Sequence, residues 1–164
     1  MDKKVTKLLN QQINKEMYSA YLYLDIANFY ADKGLDGFRN WFEKQAEEEM
    51  EHGMKILHYL QDNGVAIELV AIDKPNEKYV ELIDPLNKAV EHEAYVTSLI
   101  HAIYEAAAKA KDYRTMQFLQ WFIEEQCEEE KDAGDLVKMY ENFAKDGGMG
   151  LYHLDREFGS RTGD

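Results

Sequence analysis

Residues 38–59 read FRNWFEKQAEEEMEHGMKILHY. Phe38, Phe42, Gln45, Glu49, His52, Ile56 and Tyr59 recur in steps of three and four. That period is helical, and it sets Glu49 and His52 on the stripe a helix turns toward its core. Three positions apart on a helix, the two side chains share one face, separated by about 60° and about 4.5 Å of rise. A buried carboxylate is costly unless it is paired or bound to a metal. Carboxylate oxygen together with imidazole nitrogen suits a transition metal that accepts both. Taken alone, the run Glu47, Glu48, Glu49, Met50, Glu51 reads better as a solvated acidic face. The rest of the chain reverses that reading.

The chain has 164 residues, 45% hydrophobic and 31% charged, which fits one globular domain over 1–164 with a sizeable core. Only two prolines occur, Pro75 and Pro85, so long helices are favoured. A formal net charge of −13 argues against nucleic acid and anionic membrane surfaces, and fits a protein that attracts cations. The single cysteine, Cys127, allows no intrachain disulfide and fits a reducing cytoplasm; it reads as a small packing residue. Met1–Asn10 lacks the apolar core of a signal peptide, and no apolar run approaches the roughly 20 residues of a membrane span.

Outward from the opening stretch, the chain reads as all-α. A first helix runs from about Lys3 to Asp32, with Leu9, Ile13, Glu16, Ala20, Tyr23 and Ala27 on its stripe and Lys33-Gly34 ending it. The second runs from about Asp36 to Gln61 and stops at Asn63-Gly64. Asp84-Pro85 reads as an N-cap with proline at the first helical position, opening a third helix to about Lys111. Its stripe is Leu86, Val90, Glu93, Thr97, Ile100 and Tyr104. Asp112 caps a fourth helix reaching about Lys145, with Phe122, Gln126, Glu129, Ala133, Leu136, Tyr140 and Phe143 on its stripe. Residues 65–83 show no helical period, yet they carry apolar residues and can cross from one end of a bundle to the other. The expected architecture is a four-helix bundle, about 3–145, with one long crossover that leaves helices 2 and 3 parallel. A short amphipathic fifth helix, about 150–158, carries Leu151, Leu154 and Phe158 and must dock to be stable. The tail after Gly159 reads as frayed.

The polar interruptions repeat. From 16 to 49 and from 93 to 126 the step is 33; from 16 to 93, 49 to 126 and 52 to 129 it is 77. Each half therefore offers a lone Glu (Glu16, Glu93), then a pair three apart (Glu49 and His52, Gln126 and Glu129). Di-iron carboxylate bundles use one Glu from each of two helices and Glu-x-x-His from each of the other two. The second Glu-x-x-His is altered here to Gln-x-x-Glu. Four such motifs at one offset on inward faces favour a metal centre over solvated surface.

LNQQINKEMYSAYLY at 9–23, EEEMEH at 47–52, His92-Glu93, FLQWFIEEQCEEEK at 118–131 and GLYHLDREF at 150–158 together make the chain resemble the bacterial non-haem ferritins over nearly its whole length. The resemblance implies iron storage with ferroxidase activity: oxidation of Fe(II) by dioxygen or hydrogen peroxide, and storage of Fe(III) as a mineral in a 24-subunit homo-oligomeric shell. It implies Glu16, Glu49 and His52 as ligands of one iron. It implies Glu49, Glu93 and Glu129 for the second, with Glu49 bridging and Gln126 hydrogen-bonding beside them. A third iron site is implied at Glu48, Glu125, Glu128 and Glu129. Tyr23 matches a tyrosine that can supply an electron, and the fifth helix matches one that packs around a four-fold axis.

Related proteins frame the alternatives. Haem-containing bacterioferritins carry Glu-x-x-His in the fourth helix, where this chain has Gln126-x-x-Glu129. Met50 holds the position at which they ligate haem, but apolar packing is its preferred reading, and haem is not expected. Rubrerythrins add a four-cysteine iron domain that one cysteine cannot build. A soluble di-iron oxidase or peroxidase without storage stays open, as does a helical assembly protein whose acids serve solubility alone. The remaining histidines, His58, His92, His101 and His153, read as surface or packing residues.

Overall fold

A computed structural model describes residues 1–163 and contains five helices: α1 Lys3–Asp32, α2 Asp36–Asp62, α3 Asp84–Lys109, α4 Tyr113–Phe143 and α5 Gly148–Gly159. Asp2 caps α1, its carboxylate accepting from the amides of Lys4 (2.8 Å) and Val5 (3.2 Å). Gly34, at φ +74°, turns the chain out of α1, with the Leu35 amide donating to the Tyr30 carbonyl at 3.0 Å. Gly64 does the same after α2. After α3 the left-handed position falls to Lys111 (φ +54°), 77 positions beyond Gly34. The second hairpin thus repeats the turn geometry of the first with a residue that strains to adopt it.

Several expectations shift in detail. Ile83 holds the cap position of α3; the Asp84 carboxylate instead accepts from the amides of Val80 (2.9 Å) and Glu81 (2.8 Å), closing the turn before the helix. Pro85 does lie in the first turn. The inner face of α3 is Leu86, Ala89, Glu93, Val96, Ile100 and Ile103, while Val90 is exposed. Small Ala89 fills the position that Val90 was expected to take. Phe143 is also exposed, because α4 ends there and the next residue, Ala144, turns back into the core.

Helices α1 and α2 form one antiparallel hairpin, and α3 and α4 the other. One apolar cluster joins Ile26 and Tyr30 of α1 to Phe38 and Phe42 of α2, Leu86 of α3 and Leu136 of α4. The other joins Leu9 and Ile13 to Ile56 and Leu60, Ile100 and Ile103, and Leu119 and Phe122. The start of α2 therefore meets the start of α3, and the two helices run parallel. Residues 63–83 make the crossover along α1. The Asn10 side chain pairs with the backbone of Ala66 and Glu68, Asn14 donates to the Ala71 carbonyl, and the Tyr30 hydroxyl donates to the Leu82 carbonyl. No described helix is long and apolar enough to cross a membrane.

The fifth helix docks on α2 of its own chain. Phe158 packs against Phe38 at 4.7 Å between ring centres. α2 has no capping side chain of its own. Asp155 of α5 supplies one, its carboxylate accepting from the Phe38 amide at 3.0 Å. Arg161, beyond α5, is held rather than frayed: Asn40 donates to its carbonyl at 3.0 Å and to that of Phe158, within α5, at 3.4 Å. A segment this short keeps its place because α2 offers both an apolar seat and polar anchors.

Gly37 lets this contact form, since a Cβ there would collide with the Asp155 carbonyl. Gly37→Ala is expected to destabilise the protein by about 1–3 kcal/mol and to expose α5 to trypsin at Arg156. A variant with unchanged melting and unchanged proteolysis would contradict the docking geometry. Lys111→Gly is expected to stabilise by about 1 kcal/mol, by removing the cost of a left-handed non-glycine residue. A lowered melting temperature would count against that strain.

Candidate metal centre

Between the two apolar clusters every bundle helix carries a polar level, and the four levels meet. Glu16, Gln12 and Ser19 come from α1; Gln45, Glu49 and His52 from α2; His92 and Glu93 from α3; Gln126 and Glu129 from α4; all are buried. Three groups of metal-ligating atoms each lie within 4.8 Å of one another: Glu16, Glu49 and His52; Glu49, Glu93 and Glu129; His52, Glu125 and Glu129. Glu49 belongs to the first two, so two adjacent ions would share it. His52 Nδ1 stands 3.3 Å from Glu49 and its Nε2 3.7 Å from Glu125. Two carboxylate oxygens here, Glu16 Oε2 and Glu129 Oε1, are buried without a hydrogen-bond partner. Orphaned anionic oxygens beside an imidazole are a donor set suited to a di- or trivalent cation.

The surrounding donors hold the other oxygens. Gln12 Nε2 donates to Glu16 at 2.8 Å. Gln45 Nε2 donates to Glu129 at 2.8 Å and to Glu49 at 3.2 Å. Gln126 Nε2 donates to the Glu93 carboxylate at 3.2 Å and reaches Thr97 at 3.1 Å. The Tyr23 hydroxyl donates to Glu93. His92 pairs with Ser19 at 2.7 Å and sets its ring edge-on to Tyr23. Trp121 meets the His52 ring edge-on at 5.3 Å.

Burial raises the pKa of all four inner carboxyls. For Glu49 the charge of Glu93 adds to it, and for Glu129 likewise; both sit well above the ordinary value. For Glu16 the His52 charge opposes the rise, and for Glu93 hydrogen bonds from Tyr23 and Gln126 do. Burial would lower His52, but its contacts with Glu125 and Glu49 outweigh that and push it up to about 11. Burial holds His92 down at about 4, so its ring is neutral. Tyr23 is pushed well above 10 by burial and by Glu93, and stays a neutral donor.

The residues read from the sequence fall into place unevenly. Glu16, Glu49, His52, Glu93 and Glu129 converge, and Tyr23 and Gln126 touch Glu93. Glu125 joins His52 and Glu129. Glu48 and Glu128 line the same cavity of about 600 Å³ as Glu125 and His52, but neither belongs to a ligand group; Glu48 is paired with Arg161 at 2.9 Å and Glu128 is exposed. Cys127 is exposed rather than packed, because it follows Gln126 on the outward side of α4. Met50 is also largely exposed, one position past Glu49 on the outward side of α2. The roles of Gln12, Gln45 and Arg161 were missed. A signal existed for two of them: a Gln precedes each first-half Glu by four positions, at 12 and 45, again 33 apart.

A family model described as "Ferritin-like domain" matches residues 6–142. The bacterial non-heme ferritin of Campylobacter jejuni is 37% identical over 156 residues, covering 95% of this chain and 93% of the relative. A probable bacterial non-heme ferritin-like protein of Haemophilus influenzae is 35% identical, covering 98% and 96%. Among solved structures, an open-pore ferritin from the hyperthermophilic archaeon Archaeoglobus fulgidus superposes with a TM-score of 0.95 at 38% identity, covering 99% of each chain.

The raised values set the sign of a pH effect. A carboxyl whose folded pKa exceeds the unfolded 4.5 contributes stability below 4.5 and loses it as pH rises through the folded value. His52, raised above 6.5, acts in the same direction toward about 11. Metal-free protein is therefore expected to lose stability from pH 5.5 to 8. Glu129→Gln should stabilise the metal-free protein at pH 8 by about 1–2 kcal/mol while weakening metal binding. Melting curves of chelator-treated samples test both points, and a Gln variant that melts lower at pH 8 would overturn the electrostatic account.

Proposed function

The chain belongs to the ferritin family, and on that premise we propose that it is an iron-storage protein with ferroxidase activity, built as one ferritin-like domain over residues 1–164. Iron is both substrate and cargo. Fe(II) is oxidised with dioxygen or hydrogen peroxide as acceptor, and Fe(III) is stored as a mineral inside a homo-oligomeric shell of 24 copies in the cytoplasm. The observation that carries the reading is the pair of three-ligand groups sharing Glu49. Glu16, Glu49 and His52 hold one iron; Glu49, Glu93 and Glu129 hold the other. Two Fe(II) ions held side by side supply two electrons to one acceptor molecule.

The chain's own groups do the rest. Glu125 and Glu49 favour the protonated form of His52, so it releases a proton to act as a ligand. Gln12, Gln45 and Gln126 orient the carboxylates without adding charge. Tyr23 donates its hydroxyl proton to Glu93, so an electron leaving the ring can be matched by a proton passing to that carboxylate. The cavity beside His52, with Glu48, Glu51, Glu125 and Glu128 on its wall, draws cations to the centre. Glu125, with His52 and Glu129, provides a third iron position to which Glu48 and Glu128 contribute from that wall. Tyr21, Leu24 and Met50 are exposed around an apolar hollow shared with Met17, Ala20 and Ile72. A patch of that kind is covered in an assembly, which supports the homo-oligomer.

Glu49→Ala and Glu129→Ala are each expected to cut the initial rate of Fe(II) oxidation by more than about 100-fold, since even groups that only support ligands typically change metal affinity or activity by 10–100-fold. Stopped-flow absorbance at two Fe(II) per subunit measures this; wild-type rates in both variants would remove the ferroxidase assignment. After aerobic loading, iron should co-elute with a species of roughly 460 kDa, 24 copies of a 19.1 kDa chain. A small oligomer eluting without iron would replace storage with a soluble di-iron oxidase.

A further inference from the structure

One strong cation reaches the polar level from outside the bundle. Arg161, just beyond α5, lays its guanidinium over the Trp41 ring at 4.1 Å. Nη1 donates to the Trp41 carbonyl at 3.0 Å, and Nη2 to the Glu48 carboxylate at 2.9 Å. Both nitrogens also donate to Gln45 Oε1, each at 3.2 Å. Gln45 is buried, and its other end, Nε2, donates to Glu129 and Glu49. An amide has one accepting and one donating end, whereas guanidinium only donates and an ionised carboxylate only accepts. Flipped, Gln45 would aim its NH2 at a guanidinium and its carbonyl at two carboxylates. The guanidinium thus holds the accepting end of the amide while the two carboxylates take the donating end, and both favour the same orientation.

We propose that Arg161 is a positioning residue of the metal centre, locking Gln45 in the one amide orientation that donates to both Glu49 and Glu129. The inference rests on the ligand assignment made above. It ties the end of the chain to the bundle centre: docking of α5 and Asn40's hold on the Arg161 carbonyl bring the guanidinium to Gln45. A lysine would supply the charge without the planar fork that meets one oxygen from two nitrogens and stacks on Trp41.

The test uses Co(II) as the probe on the assembled protein, read by calorimetric affinity and by the visible absorption of the bound ion. Arg161→Gln is expected to weaken Co(II) binding at the two-metal centre by about 10-fold, the lower end for supporting groups, and to alter the absorption band. Arg161→Lys should remain as defective as Arg161→Gln. In a Gln45→Ala background, Arg161→Gln should add no further loss, because both act through one amide. Wild-type affinity and spectrum in Arg161→Gln would overturn the proposal. So would full rescue by lysine, which would leave charge alone as the cause, or additive losses in the double variant, which would mark a role in tail docking only. Failure of the wild-type protein to bind Co(II) would instead remove the ligand assignment, and this inference with it.

Discussion

Four glutamates and a histidine crowd a volume from which water is largely excluded, and the rest of the structure answers to that. Each carboxylate is destabilised by burial, and Glu49 and Glu129 also by the charge of Glu93. Without a cation the centre holds protons it would not hold in water, and two of its oxygens have no partner. Such an arrangement weakens the fold and suits a metal. It persists because the apolar clusters on either side, one around Tyr30 and Phe42 and the other around Ile56 and Ile100, supply the cohesion that the middle lacks.

Around the acids stands a shell of neutral donors. Three glutamines and a tyrosine aim N–H or O–H groups at the carboxylates, so the ligand oxygens are oriented without added charge. Arg161 is different, a full positive charge that meets Glu48 and Gln45 rather than the inner acids directly. The support therefore extends from α2 through Gln45 to the tail behind α5. A helix that looks like an appendage contributes twice, as the cap of α2 through Asp155 and as the carrier of Arg161.

The crossover matters for a geometric reason. The two helical hairpins turn at opposite ends of the bundle: Gly34 at the end where α2 and α3 begin, and Lys111 at the end where α2 and α3 finish. The chain must then travel the bundle's length between α2 and α3, and residues 63–83 do so along α1, pinned at Asn10, Asn14 and Tyr30. Equal spacing within each hairpin then brings residues 16, 49, 93 and 126 to one height. The left-handed residues Gly34 and Lys111 carry the same 77-residue offset, so turn and site repeat together.

Helix number, the crossover and the convergence of the polar level were legible in the sequence, because periodicity and spacing are local quantities that survive without coordinates. Helix bounds were read to within a few residues. The exact inner face of α3 was not, since Ala89 and Val90 suit the period equally and only the fit against neighbouring helices chooses between them. The exposure of Cys127 and Met50 was missed for a similar reason: each neighbours a buried polar residue, and one step along a helix turns a side chain about 100° away. Tertiary structure alone decided which donors serve the site. Arg161 lies 116 positions from Gln45, and no pattern links them; they meet because α5 finds its seat and its cap on α2. The residues of the centre follow from helical period and repeat, whereas the hydrogen bonds that orient them depend on contacts between segments distant in the chain.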